Sequence, residues 1–297
     1  MAHPCPGVSV PALALAFIVV AAFIHATWNL LAKRAAGGAP FVWLYGVASA
    51  LLYLPAAALY LALAPGALGP RTWALFAASG VLHLLYALSL QRGYRVADLT
   101  VVYPVARGTG PLLSTAGAIA LLGERPGPIA LTGAAAVVTG VLVLSGGPRA
   151  LTRGDLGVGR GVLYGAFTGL FIAAYTLLDG HGVKTAAVAP FLLDYFGNLV
   201  RCALLTPAAF RHRSEVAAQW RRSRALVAGV GALAPLSYVL VLAAARMAPL
   251  SRVAPAREVS LLVAAVLGAR WQRERDAGWR LAGAGVIVLG VVALAMG

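Results

Sequence analysis

Ten apolar runs fill the chain almost from end to end, each close to the ~20 residues an α-helix needs to cross a hydrocarbon core about 30 Å thick. In lipid every backbone N–H and C=O must find its partner inside the protein, so runs of this length are expected to be helices. The period-two polar alternation of a membrane barrel is missing. The spans run over about 11–33, 41–63, 72–92, 98–122 and 127–146, then 158–179, 186–208, 225–246, 250–270 and 278–296. Turn chemistry marks the breaks, as in Gly37-Gly38-Ala39-Pro40, Pro65-Gly66, Pro126-Gly127-Pro128 and Gly146-Gly147-Pro148. Hydrophobic residues make up 61% and charged residues 11% of the chain. A soluble domain carries about 25% charged residues, so the composition leaves no room for one. The longest polar stretch is Arg211 to Arg224.

The chain also repeats itself. A shift of 150 residues lays Arg107 on Arg257, Glu124-Arg125 on Glu274-Arg275, and Gly133 on Gly283. The same shift lays Gly140-Val141 on Gly290-Val291 and Leu144 on Leu294. Coincidence readily matches alanines and leucines in such a chain, but not charged residues in register. Ala26-Thr-Trp-Asn-Leu-Leu31 likewise resembles Ala173-Ala-Tyr-Thr-Leu-Leu178, and Tyr86 has a counterpart near Tyr238. Each half, 1–148 and 149–297, holds five spans. Five is odd, so the second half enters the membrane upside down relative to the first. The expected fold is an all-α membrane protein of ten transmembrane helices, built as two inverted five-helix repeats, the plan of many secondary transporters.

The net charge of +15 would suggest nucleic acid in a soluble protein. Here the basic residues cluster in short loops, which the positive-inside rule explains without a nucleic-acid partner. Sixteen Lys/Arg lie in the loops after spans 1, 3, 5, 7 and 9, against five on the opposite side. This bias places both termini outside the cytoplasm, in a bacterial-type inner membrane. No Lys or Arg precedes the first apolar run and no small-residue cleavage site follows it, so it reads as a retained helix. Cys5 and Cys202 are far apart in unlike settings, and neither a disulfide nor a metal site is expected.

Polar groups within spans point to function, because a charge at the centre of a membrane helix costs roughly 2.5–3.5 kcal/mol on insertion scales. Arg107 in span 4, with Tyr103 one turn before it, and Arg257-Glu258 in span 9 form the first set. Pro104, Pro111 and Pro255 remove backbone donors nearby. Two guanidinium groups could hold a substrate anion with Glu258 as partner or proton carrier; a static ion pair locking spans 4 and 9 is the competing reading. Asp194, Asn198 and Arg201, spaced i, i+4, i+7, share one face of span 7 and read either as a cavity wall with a protonatable carboxyl or as a self-neutralising network. His25, Trp28 and Asn29 share a face of span 1; their second-half counterparts, Ile172, Tyr175 and Thr176, keep the aromatic and lose the histidine and amide. Tyr86, Tyr164, Tyr175 and Tyr238 lie inside spans, and Tyr86 and Tyr238 are repeat-related; His83 is a weaker case. The duplicated Glu-Arg pairs sit at turns, where a capping role is expected.

At these residues the chain resembles the EamA-like family of the drug/metabolite transporter superfamily. The resemblance is carried by His25-Ala-Thr-Trp-Asn-Leu-Leu-Ala-Lys33 and by Tyr103-Pro-Val-Ala-Arg-Gly-Thr-Gly-Pro111 leading to Leu122-Gly-Glu-Arg125. Ala254-Pro-Ala-Arg-Glu-Val-Ser260 and Arg273-Glu-Arg275 carry it in the second half. It implies a carrier with a central cavity walled by helices 1, 3, 4, 6, 8 and 9, working by alternating access and often exporting amino acids or other small metabolites. Many relatives are drawn with both termini in the cytoplasm, which the loop charges here oppose.

The expected function is therefore a secondary transporter that moves a small polar metabolite, an anion or amino acid, across the inner membrane by alternating access, as an exporter. The candidate substrate residues are His25, Trp28, Asn29, Tyr86, Tyr103, Arg107, Tyr175, Tyr238, Arg257 and Glu258. The candidates for proton coupling or ion pairing are Asp194, Asn198, Arg201 and Glu258. No P-loop is present, so ATP is not the direct driver. Neither His-Glu-x-x-His nor Gly-x-Ser-x-Gly occurs, which argues against a membrane enzyme. No cofactor is expected; the partners are the solute, the bilayer and protons, and a homodimer is allowed. The alternative is a flippase for lipid headgroups or lipid-linked sugars.

Overall fold

The structure, a computed structural model, describes residues 10–35, 37–64, 68–97, 99–144, 156–263 and 277–297. The described residues form the helices α1 (Ala12–Ala35), α2 (Gly38–Leu63), α3 (Pro70–Val96), α4 (Leu99–Leu122), α5 (Pro128–Leu144), α6 (Leu156–Lys184), α7 (Pro190–Arg211), α8 (Arg213–Met247), α9 (Leu250–Ala256) and α10 (Ala277–Met296). Six of them, α1, α2, α3, α4, α6 and α8, are long and apolar enough to cross a membrane, and α5 and α10 contain shorter apolar segments. Leu51, Leu52, Leu59, Leu63, Leu121 and Leu289 are all more than half exposed, while Arg107, Asp179, Arg257 and Glu258 are buried. Apolar outside and ionisable inside is the reverse of a soluble domain and is what lipid as solvent demands. The chain is a multi-pass helical membrane protein.

Most span edges lie within a few residues of those expected from apolar runs, but span 6 runs on to Lys184 and two further spans differ more. Span 8 is longer: the polar stretch after Arg211 is helical, as its Arg, Ala and Gln content favours, and α8 bends at Ser223 (φ −135°, ψ 21°) before its apolar part. Span 9 is not one helix over 250–270. It stops at Ala256, turns through Arg257 and Glu258, and is helical again at 259–263. Through the break the hydrogen bonds shorten to i→i−3: Glu258 N–H donates to Pro255 O at 2.9 Å and Leu261 N–H to Glu258 O at 2.9 Å. Pro255 has no N–H for the Ser251 carbonyl, and the Thr115 hydroxyl of α4 donates to that carbonyl instead, at 3.3 Å.

α5 packs along α10, α4 along α6, α1 along α8 and α3 along α6, while α2 and α3 both lie against α7. The α5–α10 contact is backbone to backbone. A Cβ on Gly133 would lie 2.7 Å from the Gly290 carbonyl, one on Gly290 2.8 Å from the Gly133 carbonyl, and one on Gly140 2.8 Å from the Gly283 carbonyl. Only glycine allows this approach. The 150-residue shift turns the contact 133–290 into 283–140, so the two crossings exchange partners as a two-fold interface does.

The α4–α5 turn fixes the start of α9. α4 closes with Gly123 in the left-handed region (φ 68°) and Glu124 N–H on the Ala118 carbonyl at 3.1 Å. This turn aims the Glu124 carboxylate at the first turn of α9, where Pro249 at the N-cap has no side-chain hydrogen bond to offer. Glu124 accepts the N–H groups of Leu250 (2.7 Å) and Ser251 (2.8 Å), and Lys184 lies 3.5 Å from the same carboxylate. Glu124 thus has the capping role expected of it. Glu274 and Arg275 lie outside the described residues.

Candidate functional site

The break in span 9 gathers the first set of polar residues. Glu258 is fully buried, with Arg107 of α4 beside it: Nε to Oε2 is 3.2 Å, and Arg107 Nη2 donates to Ser260 Oγ at 3.3 Å. Tyr103, one turn earlier on α4, puts its ring 5.8 Å from the Arg107 guanidinium carbon. Arg257 is also buried, and its guanidinium lies over the Tyr175 ring of α6 at 6.0 Å. Its Nε has no hydrogen-bond partner among the described residues, and neither do Arg107 Nε and the two Glu258 carboxylate oxygens, so the Arg107–Glu258 contact is an ion pair without a hydrogen bond. Both arginines lie within electrostatic reach of Glu258 and of each other. The ion pair that would lock spans 4 and 9 is present between Arg107 and Glu258, and Arg257 lies beside it as a second buried cation.

His25 of α1 has Arg107 and Arg257 as its charged neighbours and meets Trp28 edge to face at 4.8 Å. The Trp28 indole N–H is buried without a partner among the described residues. Asn29 behaves differently: its amide donates to the His25 carbonyl of its own helix at 2.8 Å, a local bond that needs no solute.

An aromatic group carries the cluster toward a second polar centre. Tyr175 meets Tyr86 (5.8 Å) and Tyr238 (6.2 Å) edge to face, and His83 stacks on it at 4.0 Å. His83 Nε2 lies 3.1 Å from Asp179 Oδ2, and the Tyr238 hydroxyl donates to the same oxygen at 2.6 Å. Asp179 is fully buried. It was not among the residues expected from the sequence, because it falls on the last residue of span 6 as read from hydropathy. Its spacing of i+4 from Tyr175 was the available signal. Tyr164, by contrast, packs against Gly93 of α3, away from both centres.

Asp194, Asn198 and Arg201 do share one face of α7. With Ser79, His83, Leu193, Gly197 and Tyr238 they line a small recess. Arg201 donates to Asn198 Oδ1 at 2.6 Å and lies over the Tyr45 ring at 5.7 Å, while the Asn198 amide donates to the Gly46 carbonyl at 2.9 Å. Asn198 is therefore a bolt between α2 and α7, and Asp194 lines the recess that leads to His83. Cys202 is buried as a free thiol; Cys5 lies outside the described residues. Among the described residues no cluster of His, Cys, Asp or Glu suits a metal ion.

A solved structure described only as a crystal structure of a protein superposes with a TM-score of 0.75 over 94% of each chain at 18% identity, a likeness of fold. None of the curated proteins compared with the chain matches it. Residues 159–296, which contain Tyr175, Asp179, Tyr238, Arg257 and Glu258, match the model of the EamA-like transporter family. The match covers the second half of the chain, which thus carries an EamA-like transporter domain of the drug/metabolite transporter superfamily.

Proposed function

We propose that the protein is a secondary transporter for a small organic anion, with Arg257 as the residue that meets the anionic group. One observation carries this reading: at the break in span 9 a single buried carboxylate, paired with Arg107, stands beside two buried guanidinium groups. An uncompensated cation in a low-dielectric interior is costly unless something pairs with it. Arg107 has Glu258 and Ser260; Arg257 has the π-face of Tyr175, which satisfies no N–H. A carboxylate or phosphate would complete the set, with Trp28 N–H and His25 as further polar contacts and the tyrosines as walls.

Alternating access between two inverted five-helix repeats accommodates such a site. The exchanged glycine contacts of α5 and α10 support this arrangement, as do the paired packings α1–α8 and α3–α6, which interchange when each helix number moves by five. Export across an inner membrane is the direction the resemblance implies, with both termini on the non-cytoplasmic side by loop charge. A thermal-shift screen of the purified protein against a metabolite library tests the substrate class, since a solute that binds the folded state raises apparent stability by mass action. The stabilising solutes should carry a carboxylate or phosphate, and Arg257→Ala should abolish their effect. Stabilisation only by neutral or cationic compounds removes the anion reading; stabilisation by glycerophospho headgroups favours the flippase alternative.

A further inference from the structure

The arginine cluster does not use Asp179, the most enclosed acidic side chain besides Glu258 among the described residues. Its Oδ2 receives Tyr238 and faces His83, while its Oδ1 is buried with no hydrogen-bond partner among the described residues. Three helices meet there: α3 brings His83, α6 brings Asp179 and α8 brings Tyr238. The other ionisable groups facing this point are Asp194 and Arg201 of α7 and Tyr175 of α6, with Arg257 at the break after α9 beyond Tyr175. His83 is also a wall of the α7 recess, and its side chain is 19% exposed. The imidazole is therefore partly open at the recess, and one of its faces lies against the ring that Arg257 covers.

We propose that His83 and Asp179 form a proton-binding site, entered from the α7 recess, whose occupancy is linked through Tyr175 to the anion at Arg257. One proton from water in the recess adds to the imidazole, giving an imidazolium whose Nε2–H donates to Asp179 Oδ2; the pair is then neutral. When the proton leaves, it leaves from the other ring nitrogen; Nε2–H still donates to Asp179 Oδ2, the imidazole is neutral and the pair carries one negative charge. The charges close around this change. With Arg257 unoccupied, the deprotonated pair supplies the negative charge that the two arginines and Glu258 lack. When a solute anion reaches Arg257 that charge is supplied twice, and the pair takes up a proton. Solute anion and proton thus occupy the carrier together, which makes the loaded core electrically neutral and cheaper to carry between the two open states.

The linkage rests on the anion reading of Arg257, but its test contains no solute. Full-length protein with ring-¹⁵N histidine is reconstituted in phosphatidylethanolamine/phosphatidylglycerol vesicles, and the imidazole resonances are followed from pH 5 to pH 9. The chain has five histidines. His83 is the resonance lost in His83→Gln or, where that variant does not fold, the one that remains when the other four are replaced. The expected result is a His83 ring that changes from imidazolium to neutral within this range and stays neutral throughout in Asp179→Asn. Arg257→Gln, which removes the same positive charge that an anion cancels, should raise the imidazolium fraction at pH 7. A His83 ring that stays neutral in the wild type, or that titrates unchanged in Asp179→Asn, overturns the proton site. An unchanged imidazolium fraction in Arg257→Gln overturns the linkage. Any of these leaves anion binding at Arg257 standing; conversely, a screen without anionic ligands removes the anion reading while a titrating His83 survives it.

Discussion

Removing Arg107 should cost stability in a way that removing Glu258 with it partly repairs. Arg107 and Glu258 are both buried, 3.2 Å apart, and Arg107 also holds the Ser260 hydroxyl. Breaking a buried pair by deleting one partner costs about 3–5 kcal/mol, because the other charge is left bare. Arg257 stands close enough to shield Glu258 in part, so Arg107→Met is expected at the lower end, about 3 kcal/mol. Adding Glu258→Gln removes the bare charge and should recover about 2 kcal/mol of that loss. Glu258→Gln alone should be at least as costly as Arg107→Met, since it leaves two buried guanidinium groups facing each other. The assay is reversible unfolding in mixed micelles, followed by circular dichroism, for the wild type, both single variants and the double variant. An Arg107→Met protein within about 0.5 kcal/mol of wild type, or a double variant no more stable than the less stable single, refutes an energetically coupled ion pair.

Other perturbations separate architecture from solute binding. Gly133→Leu should separate α5 from α10 and reduce the yield of folded protein, whereas Gly285→Ala, where an added Cβ meets nothing within 4 Å, should not; size-exclusion chromatography of the solubilised protein decides. Glu124→Ala strips the cap from two N–H groups of α9 and should lower stability by about 1–2 kcal/mol, read by the same unfolding assay. Asn29→Ala should leave solute stabilisation within about twofold of wild type, because its amide is bonded within α1; loss of binding in this variant returns Asn29 to the solute. Cysteine labelling at the two termini with an impermeant maleimide should succeed in intact cells if the loop charges set the orientation, and fail if both termini are cytoplasmic.

Hydropathy made the helices legible because lipid imposes one rule on every span: satisfy the backbone internally and face outward with apolar side chains. α10 (Ala277–Met296) and α4 (Leu99–Leu122) lie within one residue of the spans read from the sequence. The same rule hid the break at Arg257 and Glu258, because average hydropathy is blind to a turn that is shielded by protein. Pro255 signalled lost donors nearby, but the Thr115 hydroxyl that answers the Ser251 carbonyl comes from a helix 136 residues away in the chain. The arginines stood out because charge inside a span is rare. Which one holds Glu258, and which is left over, depends on how α4 and α9 pack, and no local pattern encodes that. Asp179 escaped notice for a different reason: hydropathy ended span 6 on it, whereas α6 continues to Lys184 and carries it well inside the protein.

The most direct test of the anion site is flux in proteoliposomes, using the solute that best stabilises the purified protein. Wild type, Arg257→Lys and Arg257→Ala are compared, each first shown to be folded by monodisperse elution. An anion site at Arg257 predicts saturable flux in the wild type, reduced flux in Arg257→Lys, where the charge is kept and the planar fork is lost, and flux at the level of empty vesicles in Arg257→Ala. Wild-type flux in folded Arg257→Ala would contradict it.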